Sequence, residues 1–502
     1  MRILFIFKSE NFVAPIGPAV ISAVAKKEGH ETFLCEINQQ DPLECIPRLK
    51  PDVIAYSSST GESKHYVKVN EKIKEKYPDM FTIMGGPHAT FYPDQLKKTT
   101  LDALCVGEGE GATVDLLRAL SAKRPLSGIP NIYTRNDTTF TVRSLIEDLD
   151  TVPFPDYDLL YSSTPMMGHS LLKSFMTSRG CPYPCTYCFN HAWRKLYQGK
   201  GTIIRRHSVD YVLEDIDRVR KKWPISTVKF YDDVFSYRAD AWLEEFSRKY
   251  KERIGLPFFI LTRCDLLTED MVKLLKYAGC RTISMSIEAG NPEVRGNLLK
   301  RPMTNGQIID SHRLCEKYGI YTFTNCIIGL PGTTFAHDLE SLDLSLKCRV
   351  DWGEFLQFHP YPNTELGDWT IGLGLYSPVY TDMHTSYQYI SPLNCFTTKE
   401  KNMQRNLAVL GPVVLVMPWT RALVVKVLLH FPMNFTFTLA YHLAKMYALR
   451  RKIYVTKTSF LESLRIFARS LRQDVFRHTR EKEVGGKIGK SARERRVNVA
   501  SP

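Results

Sequence analysis

Cys181-Pro-Tyr-Pro-Cys185-Thr-Tyr-Cys188 is the stretch on which the reading of this chain turns. Three thiols at the spacing C-x3-C-x2-C can meet on one small inorganic centre. Cysteine thiolates are the usual ligands of a 4Fe-4S cube, which wants four of them. Three leave one iron open to a substrate or a cofactor. The same spacing also suits zinc, with His191 close enough to be a fourth ligand. The stretch alone leaves both open.

Its surroundings bear on the choice. From residue 171 strand-like and helix-like segments alternate. Strands are predicted at Leu172–Ser178, Thr227–Tyr231, Phe258–Leu261, Thr282–Ile287, Thr322–Ile328 and Glu354–Phe358, with helices near 208–222, 238–252, 267–278, 304–318 and 336–348. Polar and special residues fall at the carboxyl ends of successive strands. The cysteine loop follows the first, Asp232-Asp233 the second and Arg263 the third. Glu288-Ala-Gly290 follows the fourth, and Gly329-Leu-Pro331-Gly332 the fifth. Barrels of βα units carry their chemistry at those ends. A zinc site predicts nothing about these positions. Six units predict a partial barrel.

Residues 1–125 form a second alternating series. Strands are predicted at Arg2–Phe7, Thr32–Ile37, Val53–Ser57, Phe81–Met84 and Ala103–Val106, with helices near 16–28, 62–76 and 111–122. Such a series makes a doubly wound parallel sheet, whose ligand crevice lies at the carboxyl ends of its strands. There the sequence is small and polar: Ser57-Ser58-Ser59-Thr60, then Gly85-Gly86-Pro87-His88-Ala89-Thr90, then Gly107-Glu108-Gly109-Glu110. Glycine lets a backbone approach a ligand closely.

The 502 residues predict two to four domains, and 44% hydrophobic with 24% charged residues is globular. Nine of the 12 cysteines are scattered, which reads as buried thiols in a reducing cytoplasm. The apolar start at Met1 is too short for a signal peptide. Residues 401–502 hold 20 Lys and Arg against 5 Asp and Glu, so the whole excess of +14 lies there. Nothing suggests nucleic-acid reading. No apolar run reaches the length of a spanning helix, and Gly411, Pro412 and Pro418 break the best one. The basic amphipathic stretch 423–448 can cap the barrel or lie on an anionic membrane surface. The expected division is a first domain at 1–140 and a proline- and acid-rich linker at 141–170. A partial barrel at 171–394, a helical segment at 395–484 and a disordered basic tail at 485–502 complete it.

With these motifs in place, the chain resembles the cobalamin-binding radical S-adenosylmethionine enzymes, in a class B methyltransferase-like arrangement. The resemblance implies an α/β fold: a Rossmann-like cobalamin domain, a (β/α)6 partial barrel and a helical C-terminal segment. It implies that Cys181, Cys185 and Cys188 hold the cluster, whose open iron is chelated by S-adenosylmethionine. Tyr187, Arg263, Glu288, Gly329, Pro331 and Gly332 are the implied contacts to that cofactor. Ser57, Ser58, Ser59, Thr60, Gly85, Gly86, Gly107 and Glu108 are the implied contacts to cobalamin. Asp232 and Asp233 are candidate active-site carboxylates. The motif D-x-H-x-x-G is missing, which implies a cobalt without a histidine below it, His88 being a loop residue. The implied reaction is methyl transfer to an unactivated carbon through a 5'-deoxyadenosyl radical and methylcobalamin. Two alternatives stay open: a cobalamin-dependent cyclase or ring-rearranging enzyme, and a catalytically inactive cobalamin sensor or carrier. The implied partners are a small-molecule or lipid substrate and an electron donor such as flavodoxin or ferredoxin. The expected location is the cytoplasm, with peripheral contact at the inner face of the membrane.

Overall fold

The computed structural model describes residues 1–8, 14–378 and 386–454. The tail expected to be disordered lies outside the described residues.

The first sheet comprises β1 (Arg2–Phe7), β2 (Glu31–Glu36), β3 (Val53–Ser57), β4 (Phe81–Gly85), β5 (Ala103–Cys105) and β6 (Ile132–Thr134). Its order is β2-β1-β3-β4-β5-β6, parallel except for β6, which runs antiparallel to β5. The strands are apolar on both sides because both faces are covered. Within β1 the alternation still sorts the side chains. Leu4 and Ile6 enter one core with Ile54 and Met84. Ile3 and Phe5 enter another with Val53, Ile83 and Ala103, and that core continues into the barrel. The sequence reading missed β6 and the helix Pro42–Leu49. Three residues are too few to show a period, and Pro47 interrupts the helical pattern.

The linker is ordered where irregular chain was expected. Asp156 caps the helix Tyr157–Ser163 by accepting from Leu159 N. It also takes Ser22 Oγ at 2.6 Å and Lys26 Nζ at 2.6 Å from the first helix, Ile16–Lys27. Tyr157, Leu160 and Tyr161 are buried. The stretch is irregular by composition but anchored by packing.

The second sheet contains β7 (Leu172–Phe175), β10 (Thr227–Phe230), β11 (Phe258–Thr262), β12 (Cys280–Met285), β13 (Tyr321–Ile328) and β14 (Trp352–Gln357). The order is β14-β13-β12-β11-β10-β7, all parallel. The strand expected at Leu172–Ser178 breaks after Phe175. Ser178–Arg179 becomes β8, a two-residue ribbon pairing with β9 (Arg205–Arg206).

The helix Thr398–Val416 packs on β14 and runs straight through Gly411 and Pro412. A Cβ at Gly411 would stand 2.6 Å from the Phe355 ring, and one at Gly353 would stand 2.6 Å from Leu415. The two glycines thus serve close approach of helix and strand. The segment expected to begin at 395 therefore opens with a helix of the barrel. Beyond it, the helix Phe435–Ala448 is fastened to β14, where Glu354 accepts from Tyr441 Oη at 3.0 Å and pairs with Lys445 at 3.1 Å. Thr282 Oγ1 donates to Ile453 O at 2.9 Å, and Lys229 Nζ to Tyr454 Oη at 3.2 Å. These residues cap the barrel. Among the described residues no helix is long and apolar enough to cross a membrane.

Candidate active site

The turn after β7 is set before the first cysteine is reached. Asp232, wholly buried after β10, accepts from Thr177 N at 2.8 Å, Thr177 Oγ1 at 2.9 Å and Ser178 Oγ at 2.6 Å. Burial pushes its carboxyl up to about 6. One Asp232 oxygen, Oδ1, thus fixes the approach to the cysteine loop, while Oδ2 is buried with no hydrogen-bond partner among the described residues. Gly180 follows at φ +91, and a Cβ there would stand 2.1 Å from Ile203 O, so only glycine fits. Thr186 ties the loop across the barrel, donating Oγ1 to Leu298 O at 2.7 Å and accepting Leu366 N at 2.9 Å on its carbonyl.

Cys185 is buried, while Cys181 and Cys188 are partly exposed. Burial first, and Asp233 as the largest of the nearby charges, push the Cys181 thiol to about 11 and the Cys188 thiol to about 12. Asp233, unlike Asp232, therefore acts on the cysteine loop electrostatically. His191, the alternative zinc ligand, stands 3.6 Å from Glu365. Among the described residues no three His, Cys, Asp or Glu side chains are gathered closely enough to hold a single metal ion.

Opposite the loop stands Glu288, in the left-handed region at φ +65. The neighbouring strand holds it there: Glu288 N donates to Asn325 O at 3.0 Å, and Ile327 N to Glu288 O at 2.7 Å. A glutamate rarely adopts this region, so the strand contacts must hold it there. Its carboxylate accepts from Tyr187 Oη at 2.8 Å and lies 3.9 Å from Arg301. Burial pushes that carboxyl up, against the pull of Arg301 and Tyr187. Sequence reading missed Arg301, since it reaches the site from a loop with no strand-end position to flag it. Arg263 lies 3.7 Å over the Tyr183 ring, with Nη1 3.9 Å from Cys185 Sγ and an ion pair to Asp265 at 2.8 Å. Gly329 (φ +66) donates its N–H to Asp338 Oδ1 at 3.0 Å. A Cβ there would meet Gln357 and Gln404 at 3.1 and 3.3 Å, and Pro331 and Gly332 complete the turn. Glu288→Gln is expected to weaken S-adenosylmethionine binding about ten- to hundredfold, the worth of a charged hydrogen bond. Anaerobic calorimetric titration checks this, with an unchanged far-UV spectrum as the control.

A cavity of about 280 Å³ opens under the carboxyl ends of the first sheet. Its apolar wall comes from β1, β3 and β4 and from the helices Ile16–Lys27 and Glu110–Ser121. Of the residues expected to meet cobalamin, Ser57, Gly85, Gly86, Gly107 and Glu108 line it, while Ser58, Ser59 and Thr60 do not. Gly86, at φ +89, would clash through a Cβ with Ser58 N at 2.8 Å, so it lets the serine loop close over the turn. Gly107 N donates to Thr90 Oγ1 at 3.0 Å, joining the next loop. Thr60 Oγ1 is buried with no partner among the described residues. His88 is buried beside Tyr92 and Gln95, and burial lowers its imidazole to about 4.

Glu108 does more than line the cavity. Its carboxylate takes Arg205 at 2.8 Å and Arg179 at 3.1 Å, and its N–H donates to Tyr197 Oη at 2.8 Å. All three partners belong to the second unit. Arg179 also pairs with Glu110 at 2.7 Å. The expected cofactor contact is thus a buried ionic joint between the two units. The barrel side adds Met176 and Arg179 to the cavity wall.

Comparison with known proteins accords with this geometry. Residues 175–344 match the Radical SAM superfamily and residues 3–117 match the B12 binding domain. The chain belongs to the B12-binding radical S-adenosylmethionine enzymes. It is 27% identical over 399 residues to the uncharacterized methyltransferase PH0819 of Pyrococcus horikoshii, covering 77% of this chain and 84% of that protein. It is 25% identical over 350 residues to the anaerobic magnesium-protoporphyrin IX monomethyl ester cyclase of Rubrivivax gelatinosus, covering 66% of this chain and 60% of that protein. Among solved structures it resembles the radical S-adenosylmethionine methyltransferase TsrM from Kitasatospora setae with cobalamin and a [4Fe-4S] cluster bound. That match has a TM-score of 0.59 at 16% identity, over 79% of this chain and 80% of that one, and the likeness is one of fold.

The cofactors of this radical S-adenosylmethionine enzyme are a 4Fe-4S cluster, S-adenosylmethionine and cobalamin. The residues present fit all three. Three thiols share one loop beside a cationic guanidinium. A buried carboxylate with a tyrosine and an arginine faces that loop. The glycine-rich cavity, with an orphaned hydroxyl on the adjoining loop, suits the slender end of a larger ligand.

Proposed function

We propose that this chain transfers a methyl group to an unactivated carbon of a small-molecule or lipid substrate. The observation that carries the reading is the run Met176–Cys188. Met176 and Arg179 line the sheet cavity, and Cys181 follows two residues later. One short stretch of backbone therefore serves the cobalamin cavity and the cluster loop together, as transfer between the two cofactors requires. When bound, the cluster supplies the electron that cleaves S-adenosylmethionine, and cobalamin carries the methyl group.

The protein's own residues supply placement. Cys181, Cys185 and Cys188 hold the cluster, and the Arg263 guanidinium beside Cys185 offsets its negative charge. Glu288, aimed by Tyr187 and Arg301, and the Gly329–Gly332 turn hold S-adenosylmethionine. Ser57, Gly85, Gly86 and Gly107 admit cobalamin. Asp232 sets the loop, and Asp233 biases the charge felt there. An electron donor such as flavodoxin or ferredoxin belongs to the same reading; a peripheral membrane contact is proposed beside it and does not depend on the reaction.

The test is anaerobic turnover of the cofactor-loaded enzyme with methyl-deuterated S-adenosylmethionine and a cell extract, read by mass spectrometry. Label in a new product together with 5'-deoxyadenosine supports methyl transfer. 5'-Deoxyadenosine with an unlabelled product favours the cyclase reading, which the Rubrivivax relative keeps in view. Neither nucleoside product nor label would leave a carrier or sensor.

A further inference from the structure

The segment after the last barrel helix presents apolar side chains in two directions. Thr420, Val424 and Leu429 are buried, and the segment is fastened beside the helix Thr398–Val416 by Asn406 Nδ2, which donates to Leu429 O at 3.0 Å. Trp419, Leu423, Val427 and Phe431 stand four residues apart and face outward: Trp419 is 79% exposed, and the others 52%, 42% and 53%. Phe435, 53% exposed, continues the stripe. Single exposed apolar residues are ordinary; a sustained row of this size, headed by tryptophan, marks a contact surface. The row is held firmly, since Arg421 is fixed by two bonds to Asp343 at 2.6 and 2.7 Å.

The charge around the row selects the occupant. Between Glu400 and Glu462 the sequence has nine Lys and Arg and no Asp or Glu. Lys426 and His430 are exposed within the row, and Arg450 and Arg451 are exposed beyond the next helix. A second copy of the chain would bring the same positive surface against itself. A bilayer with anionic headgroups satisfies both features: aromatic and aliphatic side chains enter the interface, and cations meet the headgroups, each worth about 1 kcal/mol. Tryptophan favours that interface in particular.

We propose that the Trp419–Phe435 row docks this chain peripherally on an anionic lipid bilayer. The proposal stands apart from the reaction assigned above, so either can fail alone. It is tested by co-sedimentation of the full-length, cofactor-loaded enzyme with vesicles of phosphatidylcholine, with and without phosphatidylglycerol. Binding is expected only with the anionic lipid and is expected to weaken with salt. The triple variant W419S/L423S/F431S should bind about tenfold more weakly or worse, as should K426E/R450E/R451E, with S-adenosylmethionine cleavage in detergent-free buffer unchanged. Three results overturn it: equal binding by the triple serine variant, loss of binding only on removal of residues 455–502, or a parent dimer in light scattering that the serine variant dissociates.

Discussion

Cys185→Ala will lower 5'-deoxyadenosine formation about a thousandfold or more, with loss of bound iron and of the broad iron–sulfur absorption. The size of the effect follows from the ligand count. A cube held by three thiolates has no spare, and alanine offers neither charge nor lone pair. Cys185 is the severest choice of the three because it is buried, whereas Cys181 and Cys188 are partly open to solvent. Water has least access to replace the missing sulfur there. Arg263, whose Nη1 lies 3.9 Å from the sulfur, keeps its Nη2 and Nε bonds to Asp265, so the fold should survive. Iron content, absorption and anaerobic nucleoside analysis measured on one preparation decide the matter. Undiminished cleavage by the variant would falsify the ligand assignment. Loss of cleavage with iron retained would move Cys185 from ligand to neighbour.

Much of this was legible in the sequence because it was local. Apolar runs of five or six residues between helical periods give the strands of both sheets within one or two residues at most ends. The cysteine loop, the Glu288 turn and the Gly85-Gly86 turn declare themselves by position after a strand. What was not legible was decided by packing. Asp232 follows its strand as an active-site carboxylate would, and only tertiary structure shows that three donors from the β7 turn take up one of its oxygens. Gly411 and Pro412 interrupt the apolar run in sequence, yet both lie inside the helix Thr398–Val416, where a side chain at 411 would meet the Phe355 ring. The linker reads as irregular chain, yet Asp156, Tyr157 and Leu160 find partners more than a hundred residues away or in the common core. Arg205 and Arg301 carry no spacing signal at all, because their partners Glu108 and Glu288 are brought to them only by tertiary structure.

Glu108→Ala is expected to cost about 3–5 kcal/mol of stability, out of the 5–15 kcal/mol a protein typically has, and with it retention of cobalamin. The carboxylate lies between two guanidiniums; the Arg205 side chain is only 2% exposed and that of Glu108 7%. Removing it leaves the buried Arg205 without its ion-pair partner, and Arg179 keeps only Glu110. Because the arginines belong to the barrel and Glu108 to the sheet, the damage falls on the joint between the two units and on the cavity wall that Arg179 and Glu108 share. The pH dependence separates this account from simple loss of packing. Burial pushes the Glu108 carboxyl up, but Arg205 and Arg179 pull harder and hold it below the usual glutamate range. A depressed carboxyl stabilises the fold above the unfolded value of about 4.3, and that contribution is lost as pH falls through the lower folded value. The gap in urea midpoint between parent and variant should therefore be full at neutral pH and shrink on acidification below about 4. Glu108→Gln, which keeps the shape and loses the charge, should show most of the neutral-pH loss. A gap that stays constant down to the acid limit would mean that packing, and not the ionic joint, holds the two units together.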